Sequence, residues 1–221
     1  MLELSMHILD IAQNSLAAQA SHVEIRIGED LGKDLLTLEV EDNGRGMAPE
    51  VTRRVTDPFY TSRTTREVGL GLPLLKLAAE RCGGRLEVES EEGRGTRISA
   101  VFRLDHFDRA PLGDMGETLA VLICGNPEVD FLYEHRVGGQ SYRLATREMR
   151  EILGPVRLDE PSVHDFIRQD VQQGLKKIGA ASFPKIMEEA GPEKAMPEAR
   201  CIQVGSKRRA QTCQICQACQ H

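Results

Sequence analysis

The chain has 221 residues, 40% of them hydrophobic and 4% aromatic, with no Trp, so a sizeable core can form but must be mostly aliphatic. A net charge of −6 does not suit nucleic acid as a partner for the chain as a whole, and the basic run Lys207–Arg209 reads as solvated tail. No apolar run reaches membrane-spanning length and the N-terminus has no basic leader, so no membrane is expected; the expected location is the cytoplasm, where the six Cys are thiols or metal ligands rather than disulfides.

Leu4, Ile8, Ile11, Leu16 and Ala20 recur at helical spacing and predict a helix over 3–20. Asp10 and Asn14 are four apart and share a face of it. VEIRI at 23–27 alternates as a half-buried strand, and a turn is expected around Gly28, Asp30 and Gly32. LLTLEVED at 35–42 alternates again and delivers Asp42 to the turn NGRGM. A short helix or irregular segment is expected over 48–55. Residues 71–81 read as a helix stopped by Cys82-Gly83-Gly84, and 85–90 with 95–104 as a hairpin around EEGRG. A linker at 106–117 leads to TLAVLICGN, a hairpin pair around Gly138-Gly139, and helices over 146–153 and 162–178. From Gly179 the composition shifts to Ala, Pro, Glu, Lys and Gln, which predicts a weakly ordered tail.

Three stretches supply parts of one chemistry. An Asn on a helix, here Asn14, can give a divalent cation a neutral oxygen, and Asp10 one turn earlier can act as a general base near a terminal phosphate. Asp42 can accept the exocyclic amine of adenine, with Gly44 and Gly46 letting the backbone pass close to the base. Gly69-Leu70-Gly71-Leu72 precedes a helix whose amides suit phosphate. Each alone is weak: Asp10 and Asn14 are also what a polar helix face looks like, and Asp42-Asn43-Gly44 is a common turn. Their order along the chain points to ATP.

That ordered set resembles the GHKL ATPases, which include histidine-kinase ATP-binding domains, MutL-type and gyrase-type proteins, and anti-sigma serine kinases. DPFYTSR at 57–63 and the segment 68–104 resemble the histidine-kinase version, and QNSLAAQASHVEIRI at 13–27 the MutL version. The resemblance covers about 1–104. It implies an α/β, two-layer α+β sandwich: a Bergerat-type mixed sheet covered on one face by helices. The expected domains are an ATP-binding domain at 1–105, a strand-hairpin and helix extension at 106–178, and a Cys-containing tail at 179–221.

The resemblance implies ATP and magnesium as cofactors. It makes Asn14 the magnesium ligand and Asp42 the adenine acceptor, with Gly44, Gly46 and Met47 lining the pocket. Thr96 assists Asp42, directly or through water. Gly69, Leu70, Gly71 and Leu72 flank the phosphates, and Arg63 meets the terminal phosphate. Asp10 stands where hydrolysing members and serine kinases carry a catalytic Glu, one methylene longer. With 22 residues between Gly46 and Gly69, the lid is short. The chain begins almost at the Asn-bearing helix, so autophosphorylation of the two-component kind is not expected within it, and His7 reads as a partly buried structural His.

The expected activity is phosphotransfer to a Ser or Thr of a protein partner, or slow ATP hydrolysis, in a regulatory or assembly role. A non-catalytic nucleotide switch and an ATP-driven, MutL-like dimerising module remain as alternatives, with a homodimer as a further expectation. Cys213, Cys216 and Cys219, spaced C-x2-C-x2-C, can hold an iron–sulfur cluster, or zinc with Cys201 or His221, or stay free thiols. A cluster there makes a redox enzyme a conceivable partner.

Overall fold

The structure is a computed structural model that describes residues 3–57 and 71–180. Its elements in chain order are α1 (Leu4–Ala17), β1 (His22–Asp30), β2 (Leu35–Asp42), α2 (Pro49–Thr52), α3 (Gly71–Arg81), β3 (Arg85–Glu91), β4 (Gly95–Arg103), α4 (Met115–Gly125), β5 (Asp130–Val137), β6 (Gln140–Ala145), α5 (Thr146–Leu153) and α6 (Pro161–Lys177). The strands form one six-stranded sheet in the order β3-β4-β2-β1-β5-β6. All neighbours are antiparallel except β1 and β5, which run parallel with His22 opposite Asp130 and Glu29 opposite Val137. This is the mixed α/β sheet that the family resemblance implies.

Period-two alternation makes the sheet two-sided. Val23, Ile25 and Ile27 of β1, Leu36, Leu38 and Val40 of β2, and Ile98, Ala100 and Phe102 of β4 are buried. The residues between them carry charge: Arg26 ion-pairs with Glu24, Glu39 and Glu41, and Arg97 with Glu39. Helices supply the apolar partner surface. α1 buries Leu4, Ile8 and Ile11, α4 buries Leu119, Leu122 and Ile123, and α6 buries Val163, Ile167, Val171 and Leu175 at a strict four-residue spacing. α4 and α6 approach closely at Gly116, where a Cβ would stand 2.7 Å from the Arg168 carbonyl oxygen.

Several element boundaries differ from the sequence expectation, and α1 stops at Ala17 rather than 20, with Gln19 at φ 62° just beyond it. β1 runs on through Gly28 to Asp30, and the reversal tightens to 31–34 with Asp34 at φ 56°. The extension has a reason: Glu29 continues the buried alternation and meets His135 of β5, Oε1 to Nε2 at 2.8 Å, while Tyr133 Oη lies 2.9 Å from His135 Nδ1. α4 starts at Met115, inside the expected linker, because Asp114 caps it by accepting the Glu117 amide at 2.9 Å. β5 and β6 form the hairpin read around Gly138-Gly139, and α3, α5 and α6 fall within a residue of their expected ranges.

Candidate functional site

The site forms where the C-terminal half of α1 meets the loop after β2. Asp42 ends β2, and each of its carboxylate oxygens has a donor. The Ser15 hydroxyl of α1 donates to Oδ2 at 2.6 Å, and the Gly44 amide donates to Oδ1 at 2.8 Å. Both bonds are charge-assisted and fix the carboxylate plane. Asn43 turns away from Asp42 and staples the loop to the α1–β1 junction: its Oδ1 accepts the Ser21 and His22 amides at 2.9 Å, and its Nδ2 donates to Ser21 Oγ at 2.9 Å. The Arg45 amide adds a bond to the Ala18 carbonyl at 2.9 Å.

The glycines are explained by close approach. Gly46 has φ 65°, and a Cβ there would stand 1.9 Å from the Glu91 carbonyl oxygen; a Cβ on Gly95, at φ 114°, would stand 1.9 Å from the Asp42 carbonyl oxygen. The Gly93 amide donates to the Arg45 carbonyl at 2.8 Å. Two Gly-rich turns, 43–46 and 92–95, therefore interlock with no room for side chains between them. Ser90 completes the joint, accepting the Met47 amide at 2.8 Å and lying 2.8 Å from Thr96 Oγ1. Thr96 stands opposite Asp42 in the β2–β4 ladder, and the hydroxyl bonded to Asp42 is that of Ser15.

One turn before Asn14, Asp10 reaches the start of α3. A Cβ on Gly71 would lie 1.7 Å from Asp10 Oδ2, so the carboxylate occupies the space the glycine leaves. Leu72 is buried in the core beside it. α1 thus carries Asp10 against α3, Asn14 in the next turn, and Ser15 against Asp42. The Asn14 amide oxygen is a hard donor of the kind magnesium takes, with the ion's remaining positions left for water and phosphate oxygen. His7 sits one turn earlier, 3% exposed, and its Nδ1 has no partner among the described residues. Burial, helped by the N-terminal amino group and opposed by Asp10, pushes its pKa below the ordinary 6.5.

The structure brings together Asp10, Asn14, Asp42, Gly44, Gly46, Met47, Gly71, Leu72 and Thr96. Arg63, Gly69, Leu70, and Cys213, Cys216 and Cys219 lie outside the described residues. Sequence reasoning missed Ser15, Asn43 and Ser90. Their small polar side chains, next to the motif residues, were the available signal.

Residues 2–106 match the family described as histidine kinase-, DNA gyrase B-, and HSP90-like ATPase. That segment is a GHKL ATPase domain, of the kind found in histidine-kinase sensor proteins. A probable C4-dicarboxylate sensor kinase of Bacillus subtilis (strain 168) is 36% identical over 84 residues, covering 38% of this chain and 16% of that protein. A protein of the same description from Halalkalibacterium halodurans is 34% identical over 103 residues, covering 44% of this chain and 19% of that protein. The sensor histidine kinase CpxA of Escherichia coli (strain K12) is 31% identical over 94 residues, 40% of this chain and 20% of that protein. The match therefore spans a fifth or less of each of these relatives. Among solved structures, the N-terminal domain of a DNA repair protein aligns with a TM-score of 0.46 at 19% identity, over 70% of this chain and 58% of that one. Among the described residues, no helix is long and apolar enough to cross a membrane.

Proposed function

We propose that the chain binds ATP with magnesium between α1, the 42–47 turn and the start of α3, and uses it for phosphotransfer to a protein or for slow hydrolysis. The observation that carries this reading is the doubly held Asp42 carboxylate, an acceptor at the end of β2 bonded through Ser15 to the helix that carries Asp10 and Asn14. A carboxylate fixed in this way selects a base that offers an amine, as adenine does at its 6-position. Gly44, Gly46 and Met47 make the wall beside it, and Thr96 acts on that wall through Ser90.

Asn14 would hold magnesium, which neutralises phosphate charge when bound. Gly71 and Leu72, with Gly69 and Leu70 before them, offer backbone amides to phosphate at the start of α3. Arg63 completes the charge on the terminal phosphate. Asp10 takes the proton of the attacking water or hydroxyl. The acceptor is a Ser or Thr of a partner protein, and the chain works as a regulatory or assembly component.

The test is calorimetry of the full chain with ATP and magnesium, together with turnover. Asp42→Ala is expected to abolish measurable binding, and Asp10→Asn to keep binding while lowering turnover by roughly 100-fold or more, the usual contribution of a positioned base. Equal turnover by wild type and Asp10→Asn removes the base assignment and leaves a nucleotide-sensing switch. Unchanged heat with Asp42→Ala removes the site.

A further inference from the structure

We infer that Ser15 is the positioning residue that sets base selectivity at this site. The inference rests on the reading of Asp42 as the purine acceptor. Ser15 is 3% exposed and its hydroxyl faces the Asp42 carboxylate across a separation of 27 residues in sequence. Its other close polar neighbour is the Ile11 carbonyl at 3.3 Å, a longer contact that leaves the 2.6 Å bond to Oδ2 as the dominant one. The proton has one short acceptor, so Ser15 donates and Asp42 accepts.

Chemistry follows from that direction. Gly44 occupies one lone pair of Oδ1, and Ser15 one of Oδ2. The carboxylate cannot rotate without breaking one of the two bonds. Its remaining acceptor positions are then fixed in space, and they suit a ligand group that donates. A 6-aminopurine donates there. A 6-oxopurine presents an oxygen to a carboxylate oxygen and is rejected, because neither group has a proton to share. Without the Ser15 hydroxyl, Oδ2 is released and the carboxylate can swing away from a 6-oxo group. Selectivity should fall further than affinity.

Ser15 also directly follows Asn14, so the same bond ties the helix that carries the proposed magnesium ligand to the turn that carries the base acceptor. Asn43 and the Arg45 amide fix the other side of that turn to the C-terminal end of α1 and the start of β1. The turn is therefore held on both flanks, and the Ser15 hydroxyl bonds the recognising carboxylate directly.

The test compares ATP with inosine triphosphate, in which an oxo group replaces the 6-amino group and N1 carries a proton. Binding of each to the full chain with magnesium is measured by calorimetry for wild type, Ser15→Ala and Ser15→Cys. The cysteine keeps the volume of the site and donates poorly, so it carries the test if the alanine variant does not fold. Wild type is expected to prefer ATP, and each folded variant to narrow the ATP-to-inosine ratio roughly tenfold, the low end for a hydrogen bond to a charged group. If wild type prefers ATP and the folded variants keep its ratio, Ser15 does not set selectivity, while Asp42 stands. A parallel loss of both nucleotides with an unchanged ratio also overturns the inference, since a purely structural serine would give it. Wild type binding neither nucleotide overturns the Asp42 reading and this inference together.

Discussion

Replacing Gly46 by Ala tests whether the two interlocked turns hold the site in place. Gly46 has φ 65°, and its added Cβ would stand 1.9 Å from the Glu91 carbonyl oxygen and 3.0 Å from that of Gly95. Reaching an ordinary contact of 3.4 Å from 1.9 Å requires a movement of about 1.5 Å between the 43–46 turn and the β3–β4 hairpin, both of which are fixed by backbone bonds. Gly93 provides the control, since it has φ 78° and nothing within 4 Å of its added Cβ. Both substitutions incur the left-handed cost of about 1–2 kcal/mol, but Gly46→Ala adds the overpacking cost of about 1–3 kcal/mol. The two variants should therefore separate by about 2–12 °C in thermal midpoint for a chain of this size. Circular dichroism melts of both proteins check this. Equal midpoints would refute the argument that the glycine is there for close approach.

Three further outcomes are expected. His7 has its pKa lowered by burial, so the unfolded chain binds the proton more readily; stability should be full above about 6.5 and fall as pH drops through that value, and His7→Gln should flatten the acid limb of a urea-midpoint series. His135→Ala strips a partner from both Glu29 and Tyr133 inside the core and leaves a cavity, so it should cost about 3–5 kcal/mol in urea unfolding, against about 0.5 kcal/mol or less for the exposed Arg136→Ala. Anaerobically purified protein should show broad visible absorbance if Cys213, Cys216 and Cys219 hold an iron–sulfur cluster; colourless protein containing zinc assigns them to zinc, and colourless, metal-free protein assigns them to free thiols.

Much of the architecture was legible because it is periodic. The period-two runs in 23–27 and 35–42 and the helical repeat from Leu4 to Ile11 each signal one buried face, and burial follows them. The motif residues were legible for a different reason: glycines flanking an Asp announce a backbone with an unusual task. What escaped was every contact made across sequence distance. Ser15 and Asp42 are 27 residues apart, and a single hydroxyl leaves no pattern in composition. Ser90 joins Met47 across 43 residues in the same way. Glu29 was read as part of a polar turn because Gly28 and Gly32 flank it; its burial depends on His135, 106 residues away. The parallel placement of β5 against β1 was hidden for the same reason, since six described strands and helices lie between them in the chain.

That neighbour relation bears on how the molecule can be cut. The family match ends at residue 106, yet β1 shares its outer ladder with β5 from His22 through Glu29. A fragment stopped at the end of the match would strip a seam of main-chain amides and carbonyls from a strand near the middle of the sheet. Such a bare margin recruits any other extended segment, so the fragment should clump or pair with itself. A soluble version of the nucleotide-binding half has to carry the strand that closes the seam.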